Sequence, residues 1–463
     1  MTITDYLSSE NQIHNELLEC RRLFTHAVTD IPKYSTQEKI ESEFPGFQRE
    51  VFSAHKLALK ILIDRILELE NLLSEIPNIN SRSPDTKTLK LHFWKHILEL
   101  TFNTFVWLHL EMDRSNVRKV FKGPKYGDLS NQNIESVLQY INEENKDINK
   151  IAIPLDFCSF SPICDILQIN YSESENVRHI KFIEAKSGKV NEDMLETINS
   201  KTSDLYFKFF DAYGKKGIKQ MDRFFKQMLM LDRSRKLINA KPGVYENPVT
   251  SEPPLVILDN NIESIHFSDK ITELLEKSEQ REFAVDTIDE CLVVGVLNRK
   301  DENILKLGEF DVRLYVYNCF FNPATLFGTT YPADLPEILN SITLVNWVEG
   351  FKSIVLEPVI LRTLPEKHLM DLLLGKKMLK LYFNPESFIA LCNKNGLKAE
   401  FTTKRETNHF RSRSVAKSLV EFNGRYIKLV RDEGVEILGD GTIYEMLFNW
   451  AHPTSLIEQM KQI

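Results

Sequence analysis

The sequence predicts a multidomain α/β protein, and three observations support this fold class. The chain has 463 residues. This length exceeds what a single hydrophobic core normally supports, so two or three domains are expected. Apolar residues recur at helical spacing in the N-terminal part, short β-rich runs follow from residue 150, and strands and helices mix after residue 301. We therefore predict a helical N-terminal domain at 1–120, a central α/β core at 121–300 and a mixed α/β C-terminal domain at 301–463.

The N-terminal domain is predicted from two long runs with helical periodicity, at 51–73 and 89–110. A polar segment rich in Asn, Ser and Pro, at 77–86, separates them. No residue pattern typical of catalysis occurs here. A packing or dimerisation module is the preferred interpretation.

The central core is predicted from a change in periodicity. A helix with one apolar stripe comes first, then three short β-rich runs, a helix over 215–238 and a buried strand at 291–298. The stripe consists of Ile134, Val137, Leu138 and Ile141. The three runs are 150–160, 163–171 and 178–186. The resulting order is helix, three strands, helix, strand.

The C-terminal domain is predicted from scattered short elements. Strands are expected at 311–318, 353–362 and 426–430, and a helix at 369–379. The Gly375-Lys376-Lys377 sequence lacks the upstream glycine of a phosphate-binding loop, so no ATPase site is predicted.

Composition limits the environment and the partners. No apolar run approaches the roughly 20 residues that span a bilayer, and the N-terminus is polar, so neither a membrane span nor a secretory signal is expected. The six cysteines form no CxxC pair, which indicates a reducing cytoplasm and no zinc site. Net charge is −8, so a nucleic-acid partner requires a local basic patch.

Three charged residues stand at the ends of the predicted strands. Asp165 lies in the second run, and Glu184 and Lys186 share one face at the end of the third. Convergent carboxylates bind hard ions such as Mg²⁺, which polarise a phosphate and lower the pKa of a bound water. A neighbouring lysine can orient that water and offset negative charge. The alternative is a surface ion-pair cluster on a hairpin.

These residues resemble a known motif. Asp165 stands in Cys-Asp-Ile-Leu, and Glu184-Ala185-Lys186 follows nineteen residues later in Phe-Ile-Glu-Ala-Lys-Ser-Gly. This arrangement is similar to the motif of the PD-(D/E)xK phosphodiesterase superfamily. The resemblance implies a restriction-endonuclease-like αβββαβ core in which Asp165 and Glu184 are metal ligands, the carbonyl of Ala185 is a further ligand and Lys186 is the catalytic lysine. Cys164 stands where the family usually has proline.

The same resemblance implies two further residues. The family often adds an acid from the helix before the strands, and Glu135 is preferred here over Glu144. Some members carry a glutamine on the helix after the Glu-x-Lys strand with an aromatic residue four positions on, and Gln220 with Phe224 resembles that pair.

The helix after this motif is rich in basic residues, which favours nucleic-acid binding in an acidic chain. The residues predicted to contact nucleic acid are Lys215, Lys216, Lys219, Arg223 and Lys226. The alternative is a solvated helix face with a core of Phe224, Phe225, Met228 and Leu231.

The sequence therefore predicts a Mg²⁺-dependent phosphodiesterase, with Mn²⁺ as a substitute ion. A DNA endonuclease is preferred over an enzyme acting on RNA, with a role in antiviral defence against foreign DNA. A homodimer or partner proteins remain open. The alternatives are a nuclease-fold protein without turnover that acts as a nucleic-acid-binding or scaffold subunit, and a helical interaction protein whose hairpin acids are incidental.

Overall fold

The structure is a computed structural model, and it is of mixed α/β class with an N-terminal helical region and small antiparallel sheets. It describes residues 10–34, 36–76, 86–112, 117, 120–124, 131–184, 189–200, 202–237, 243–245, 255–257, 265–281, 283–298, 343–346, 358–373, 376–411, 420–422, 424–431 and 434–461. The chain divides into two compact units. Unit 1 is Met1–Ala240 with Pro248–Thr250 and Glu357–Leu361, and unit 2 is Lys241–Asn247, Ser251–Leu356 and Arg362–Ile463.

Four helices come first in the described part of unit 1, which confirms the predicted helical N-terminal region. They are α1 (Glu10–Thr29), α2 (Gln37–Ser42), α3 (Phe44–Ser74) and α4 (Thr86–His109). Helix α3 forms because apolar residues recur every three or four positions, and Leu59, Leu62 and Ile66 of this series are buried. α3 packs against both α1 and α4, so it is the central helix of this region.

A pair of buried histidines joins α3 to α4. His55 Nδ1 lies 3.1 Å from His109 Nε2, so one ring donates a hydrogen bond to the other. Burial lowers the pKa of His55 to about 4. Burial, followed by the charges of His55 and Arg178, lowers the pKa of His109 well below its usual value. Both rings are therefore neutral at pH 7.

A three-stranded antiparallel sheet forms the centre of unit 1. Its strands are β2 (Lys150–Pro154), β4 (Ile166–Ser172) and β5 (Val177–Ile183), in the order β2-β4-β5. A smaller ribbon pairs β1 (Phe121–Pro124) with β3 (Phe160–Pro162). The three predicted β-rich runs thus contain strands, but each strand is shorter than its run. The first run divides at a 3₁₀ turn, Leu155–Phe157.

Helix α5 (Asn131–Glu144) precedes the sheet and packs on it through its predicted stripe. Ile134, Val137 and Ile141 are buried, and Leu138 is half-buried. Polar bonds fix the same face, because Tyr140 donates to Gln168 Oε1 at 3.1 Å. The stripe therefore identified the packed face of the helix correctly.

Two helices follow the sheet, α6 (Lys189–Ser200) and α7 (Ser203–Leu237). A small apolar core of Met194, Phe209 and Met221 holds them together. α7 is kinked at Gly214, where φ is 50° and ψ is −135°, a conformation that side chains with a Cβ rarely adopt. The predicted helix over 215–238 is confirmed as far as Leu237, and residue 238 lies outside the described part.

Unit 2 contains a four-stranded antiparallel sheet in the order β10-β11-β9-β8. Its strands are β8 (Phe283–Ile288), β9 (Leu292–Asn298), β10 (Thr343–Asn346) and β11 (Lys377–Phe383). Helix α8 (Ser268–Gln280) packs on β8 and β9. A short ribbon pairs β6 (Gly243–Tyr245) with β7 (Leu255–Ile257).

Strand β9 corrects the predicted nuclease core. Residues 291–298 were expected to supply its last strand, but β9 pairs with β8 and β11 in unit 2 instead. Every residue of β9 is buried, so the strand needs neighbours on both edges and cover on both faces. An apolar run predicts burial of this kind, but it does not identify the partner strands.

The remainder of unit 2 is formed by short helices and a second sheet. The helices are α9 (Glu366–Leu373), α10 (Pro385–Lys394), α11 (Lys404–Arg411), α12 (Asp440–Phe448) and α13 (Pro453–Lys461). The sheet has the order β12-β13-β14, with β12 (Ala399–Phe401), β13 (Ile427–Arg431) and β14 (Gly434–Ile437). Asn384 starts α10, since its side chain accepts from the N–H groups of Glu386 and Ser387.

Two predictions in this part are wrong and one is confirmed. The helix expected at 369–379 ends at Leu373, and Lys377 already begins β11, because a short apolar run does not separate helix from strand. The described part of the strand expected at 353–362 is a 3₁₀ turn after Pro358, and proline disfavours a strand interior. The strand expected at 426–430 is confirmed as β13. The strand predicted at 311–318 lies outside the described residues.

Candidate functional site

The antiparallel pairing of β4 with β5 brings Asp165 and Glu184 to the same end of the sheet. The last pair of the ladder is Ile166 with Ile183; Asp165 directly precedes the first of these and Glu184 directly follows the second. Positions that adjoin one cross-strand pair are neighbours in space. The strand pairing therefore brings two acidic residues that are nineteen residues apart in the sequence to neighbouring backbone positions.

The backbone of Asp165 is held by both neighbouring strands. Its N–H donates to the carbonyl of Ile183 at 3.2 Å, and its carbonyl accepts from the N–H of Leu155 at 2.8 Å. The prediction placed Asp165 inside the second strand, but Asp165 lies in a bend immediately before β4. Bonds to β5 on one side and to the turn after β2 on the other fix its position.

Both carboxylates influence one buried thiol. Burial raises the pKa of Cys164 well above its usual value, and the charges of Glu184 and then Asp165 raise it further. Both acids are half-buried, and Oε2 of Glu184 is buried from solvent. Cys164 is therefore an inert neighbour of the acids and not a nucleophile.

The donor chemistry of this pair fits a hard divalent cation. Mg²⁺ and Mn²⁺ prefer carboxylate oxygens as ligands. Asp165 and Glu184 are the described residues that would hold such an ion. Ala185 and Lys186 lie outside the described residues, so their predicted roles stay predictions.

The two acids considered on α5 have different surroundings. Glu144 accepts from Gln168 Nε2 at 2.6 Å and from Lys150 Nζ at 3.3 Å. Gln168 lies on the sheet face opposite to Phe182 and, by strand alternation, opposite to Glu184, so Glu144 has a structural role. Glu135 is exposed on the first turns of α5. Its assignment as a ligand stays a prediction.

Gln220 has a partner that the sequence did not suggest. Its Nε2 donates to Oδ1 of Asn191 at 2.7 Å, which ties the middle of α7 to the start of α6. Asn191 is seven residues beyond Glu184 in the sequence, so the bond connects the basic helix to α6, the described helix that follows Glu184. Phe224, the aromatic residue of the predicted pair, packs against the Met194, Phe209 and Met221 core.

The basic residues of α7 are on the surface, as predicted for a phosphate-binding face. Lys215, Lys216, Lys219, Arg223 and Lys226 are all exposed. Lys226 pairs with Asp222 at 2.8 Å. The alternative core is only half right: Leu231 is buried, but Phe225 and Met228 are 50 % and 41 % exposed.

A second acidic group occurs in unit 2, and sequence reasoning did not find it. Ligand atoms of Glu279, His368 and Asp371 lie within 4.8 Å of one another. The buried ammonium of Lys377 lies among them, 3.4 Å from Glu279 and 3.6 Å from Asp371. It also donates to the carbonyl of Leu275 at 3.1 Å. This group therefore already contains a cation of its own.

Comparison with protein-family models, curated proteins and solved structures gives no significant match. Among the described helices, none is both long and apolar enough to cross a membrane. Cys20, Cys158, Cys164, Cys291 and Cys392 are buried thiols without a disulfide.

Proposed function

We propose that this protein is a Mg²⁺-dependent nuclease that hydrolyses phosphodiester bonds in DNA. The observation that carries the proposal is the position of Asp165 and Glu184 on either side of the Ile166–Ile183 pair. The motif has the family's order and spacing in the sequence, and strand pairing places its two acidic residues next to each other, where both could bind one ion. The preceding helix α5 and the following helices α6 and α7 agree with the expected order of elements up to the last strand.

Each residue has a role in this proposal. Asp165 and Glu184 would hold the ion through carboxylate oxygens. When bound, Mg²⁺ supplies polarisation of the scissile phosphate and a bound water of lowered pKa. Lys186, two residues after Glu184 in sequence, would orient the attacking water and offset negative charge developing on the phosphate.

Helix α7 would supply the electrostatic contact to the substrate. Its exposed basic residues are concentrated on one element of a chain whose net charge is −8. Cationic side chains of this kind neutralise backbone phosphates whatever the base sequence. The bond from Gln220 to Asn191 would make Gln220 a positioning residue for that helix.

Cleavage assays test the proposal. Plasmid, linear duplex and single-stranded DNA are incubated with Mg²⁺ or Mn²⁺ and the full chain. We expect Glu184→Gln and Lys186→Ala to reduce the cleavage rate by at least about 100-fold, the scale of losing one electrostatic contact to developing charge. Glu175→Gln and Lys181→Ala are matched controls, because both residues are exposed on the same hairpin, and these variants retain wild-type activity.

Two outcomes would reject the nuclease. In one, the purified wild type cleaves no substrate with either ion; in the other, Glu184→Gln and Lys186→Ala cleave as fast as the controls. Binding of DNA without cleavage would instead favour a nucleic-acid-binding subunit that lacks turnover.

A further inference from the structure

The part of α7 after the Gly214 kink has an exposed apolar stripe. Ile218, Phe225 and Leu229 are 55 %, 50 % and 43 % exposed. Their spacings of seven and four residues align them on one side of a helix. Asp222 occupies the position between Ile218 and Phe225 in this line. Single exposed apolar residues are common on surfaces, but an aligned series is not explained by chance exposure.

A basic stripe runs beside the apolar one. Lys215, Lys219, Arg223 and Lys226 follow each other at spacings of four, four and three residues, and all four are exposed. Lys226 pairs with Asp222. Among the described residues, no acidic side chain lies within ion-pair distance of Lys215, Lys219 or Arg223. Three cations therefore remain available to an anionic ligand.

The third side of the helix packs against α6 and the first segment of α7. Met221 is buried in the core with Met194 and Phe209, Leu231 is buried, and Gln220 bonds to Asn191. The two stripes are thus not needed to attach the helix. They form one continuous surface on which the apolar stripe and the basic stripe run side by side along the helix.

Three occupants fit this surface poorly. A second copy related by a two-fold axis would bring equivalent flanks together, so basic stripe would face basic stripe. An anionic membrane would attract the cations, but the apolar stripe contains Asp222, whose carboxylate is costly to bury in hydrocarbon. Regular duplex DNA presents phosphates but keeps its bases stacked inside.

An unpaired nucleic-acid strand satisfies both stripes. Proteins that bind single strands combine a basic track for phosphates with aromatic side chains on which bases stack. We propose that α7 binds single-stranded or locally unpaired nucleic acid, with its phosphates on the basic stripe and a base stacked on Phe225. This inference rests on the proposed function for the class of polymer and adds the strand state of the substrate.

Equilibrium binding tests it without requiring cleavage. Full-length protein is titrated in EDTA into a fluorescent single strand of about 20 nucleotides, longer than known single-strand sites, and into the matching duplex. We expect Phe225→Ala to weaken single-strand binding about tenfold, with Phe225→Tyr within about twofold of wild type because it retains the ring. Duplex binding should change by less than about twofold for both variants.

Phe207→Ala is the matched control, because Phe207 is 70 % exposed on the first segment of α7, before the kink and outside the stripe. It should bind like wild type. Arg223→Ala should weaken the binding of both the single strand and the duplex and reduce the salt dependence of binding, since phosphate contacts do not distinguish single from double strands.

Several results would overturn the inference. One is that Phe225→Ala loses single-strand and duplex binding equally, or loses neither. Another is that Phe225→Ala loses binding to phosphatidylserine-containing vesicles while its binding to the oligonucleotide is unaffected. A third is that light scattering shows Phe225→Ala dissociating a dimer that the wild type forms. Stacking by Phe225 without any cleavage would support this inference and reject the nuclease. Cleavage that needs Glu184, with wild-type binding in Phe225→Ala, would do the reverse.

Discussion

Acidic residues come together in both units, and the two groups differ in how the fold brings them there. In unit 2, Glu279 and Asp371 surround the buried ammonium of Lys377. In unit 1, Asp165 and Glu184 adjoin one cross-strand pair at the end of a hairpin. The first group surrounds a buried lysine, whereas the second is the pair that we propose as the divalent-ion site. Proximity of acids alone therefore does not define a metal centre.

Metal binding gives the largest expected difference between the groups. Glu184→Gln should lower the affinity for Mn²⁺ by at least about 100-fold, because it removes a direct ligand, and even the loss of a ligand's supporting partner costs 10–100-fold. Asp371→Asn should leave the affinity unchanged, since Lys377 already balances that carboxylate. Isothermal titration calorimetry measures both. Loss of the Mn²⁺ site in Asp371→Asn alone would reverse the assignment.

Acid should weaken unit 1 through its buried histidines. Burial holds the pKa of His55 at about 4, below the 6.5 of an exposed imidazole. The unfolded chain therefore binds more protons than the folded one between these values, and stability present above pH 6.5 is lost as the pH falls towards 4. The loss from His55 is roughly 3 kcal/mol, and His109 adds to it in the same direction.

Urea unfolding at pH 7 and pH 4.5 measures this loss of stability. Hydrogen exchange in α3 and α4 at the same two pH values shows whether the loss affects these helices. His109→Gln should reduce the pH dependence, and His179→Gln, which changes an exposed histidine on β5, should not. A pH dependence that is the same in all three proteins would show that the buried pair does not carry it.

Removal of the internal cation should have a smaller effect on unit 2. Lys377→Met retains the aliphatic stem but leaves the carbonyl of Leu275 without this hydrogen bond and Asp371 without this lysine, while Glu279 keeps its ion pair with Lys367. A loss of about 2 kcal/mol is expected, the usual cost of leaving buried polar groups unpaired. Hydrogen exchange in β9 and β11 reports it. Lys404→Met, at an exposed lysine, is the control, and equal exchange in both variants would make the cluster a surface feature.

The smallest effect separates Glu135 from Glu144 on α5. Glu135→Gln should slow cleavage about tenfold if Glu135 supports the ion from outside the direct ligands. Glu144→Gln should leave the rate unchanged, because Glu144 accepts from Gln168 and Lys150 on the other face of the sheet. Metal-dependent cleavage rates of both variants test this. A slower Glu144→Gln enzyme would mean that the packing of α5 itself controls the site.

Local patterns explain what the sequence predicted well. The stripe of α5 depends on periodicity within one helix, and the proximity of Asp165 to Glu184 depends on a short hairpin. Both are short-range relations that residue types record directly. Helix α7 was likewise predicted from its composition, although the exposure of Phe225 was not.

Non-local pairing explains what was missed. The run at 291–298 indicated a buried strand, but its partner β11 lies far along the chain, and nothing in either run encodes the match. Glu279, His368 and Lys377 come from three separate elements. The Asn191 side chain became relevant only through its bond to Gln220. These contacts arise from tertiary packing, which local patterns do not specify.

The position of β9 also sets an order for folding. Strands β2, β4 and β5 are close in sequence, so loop closure costs little and their sheet can form early. The central pairing of unit 2 joins Asn298 to Lys377 and cannot form until the ribosome has released β11. During synthesis the hairpin that carries Asp165 and Glu184 is therefore complete while β9, apolar on both faces, still lacks its second edge. In that interval the unpaired edge of β9 exposes an apolar strand of the kind that is prone to aggregate.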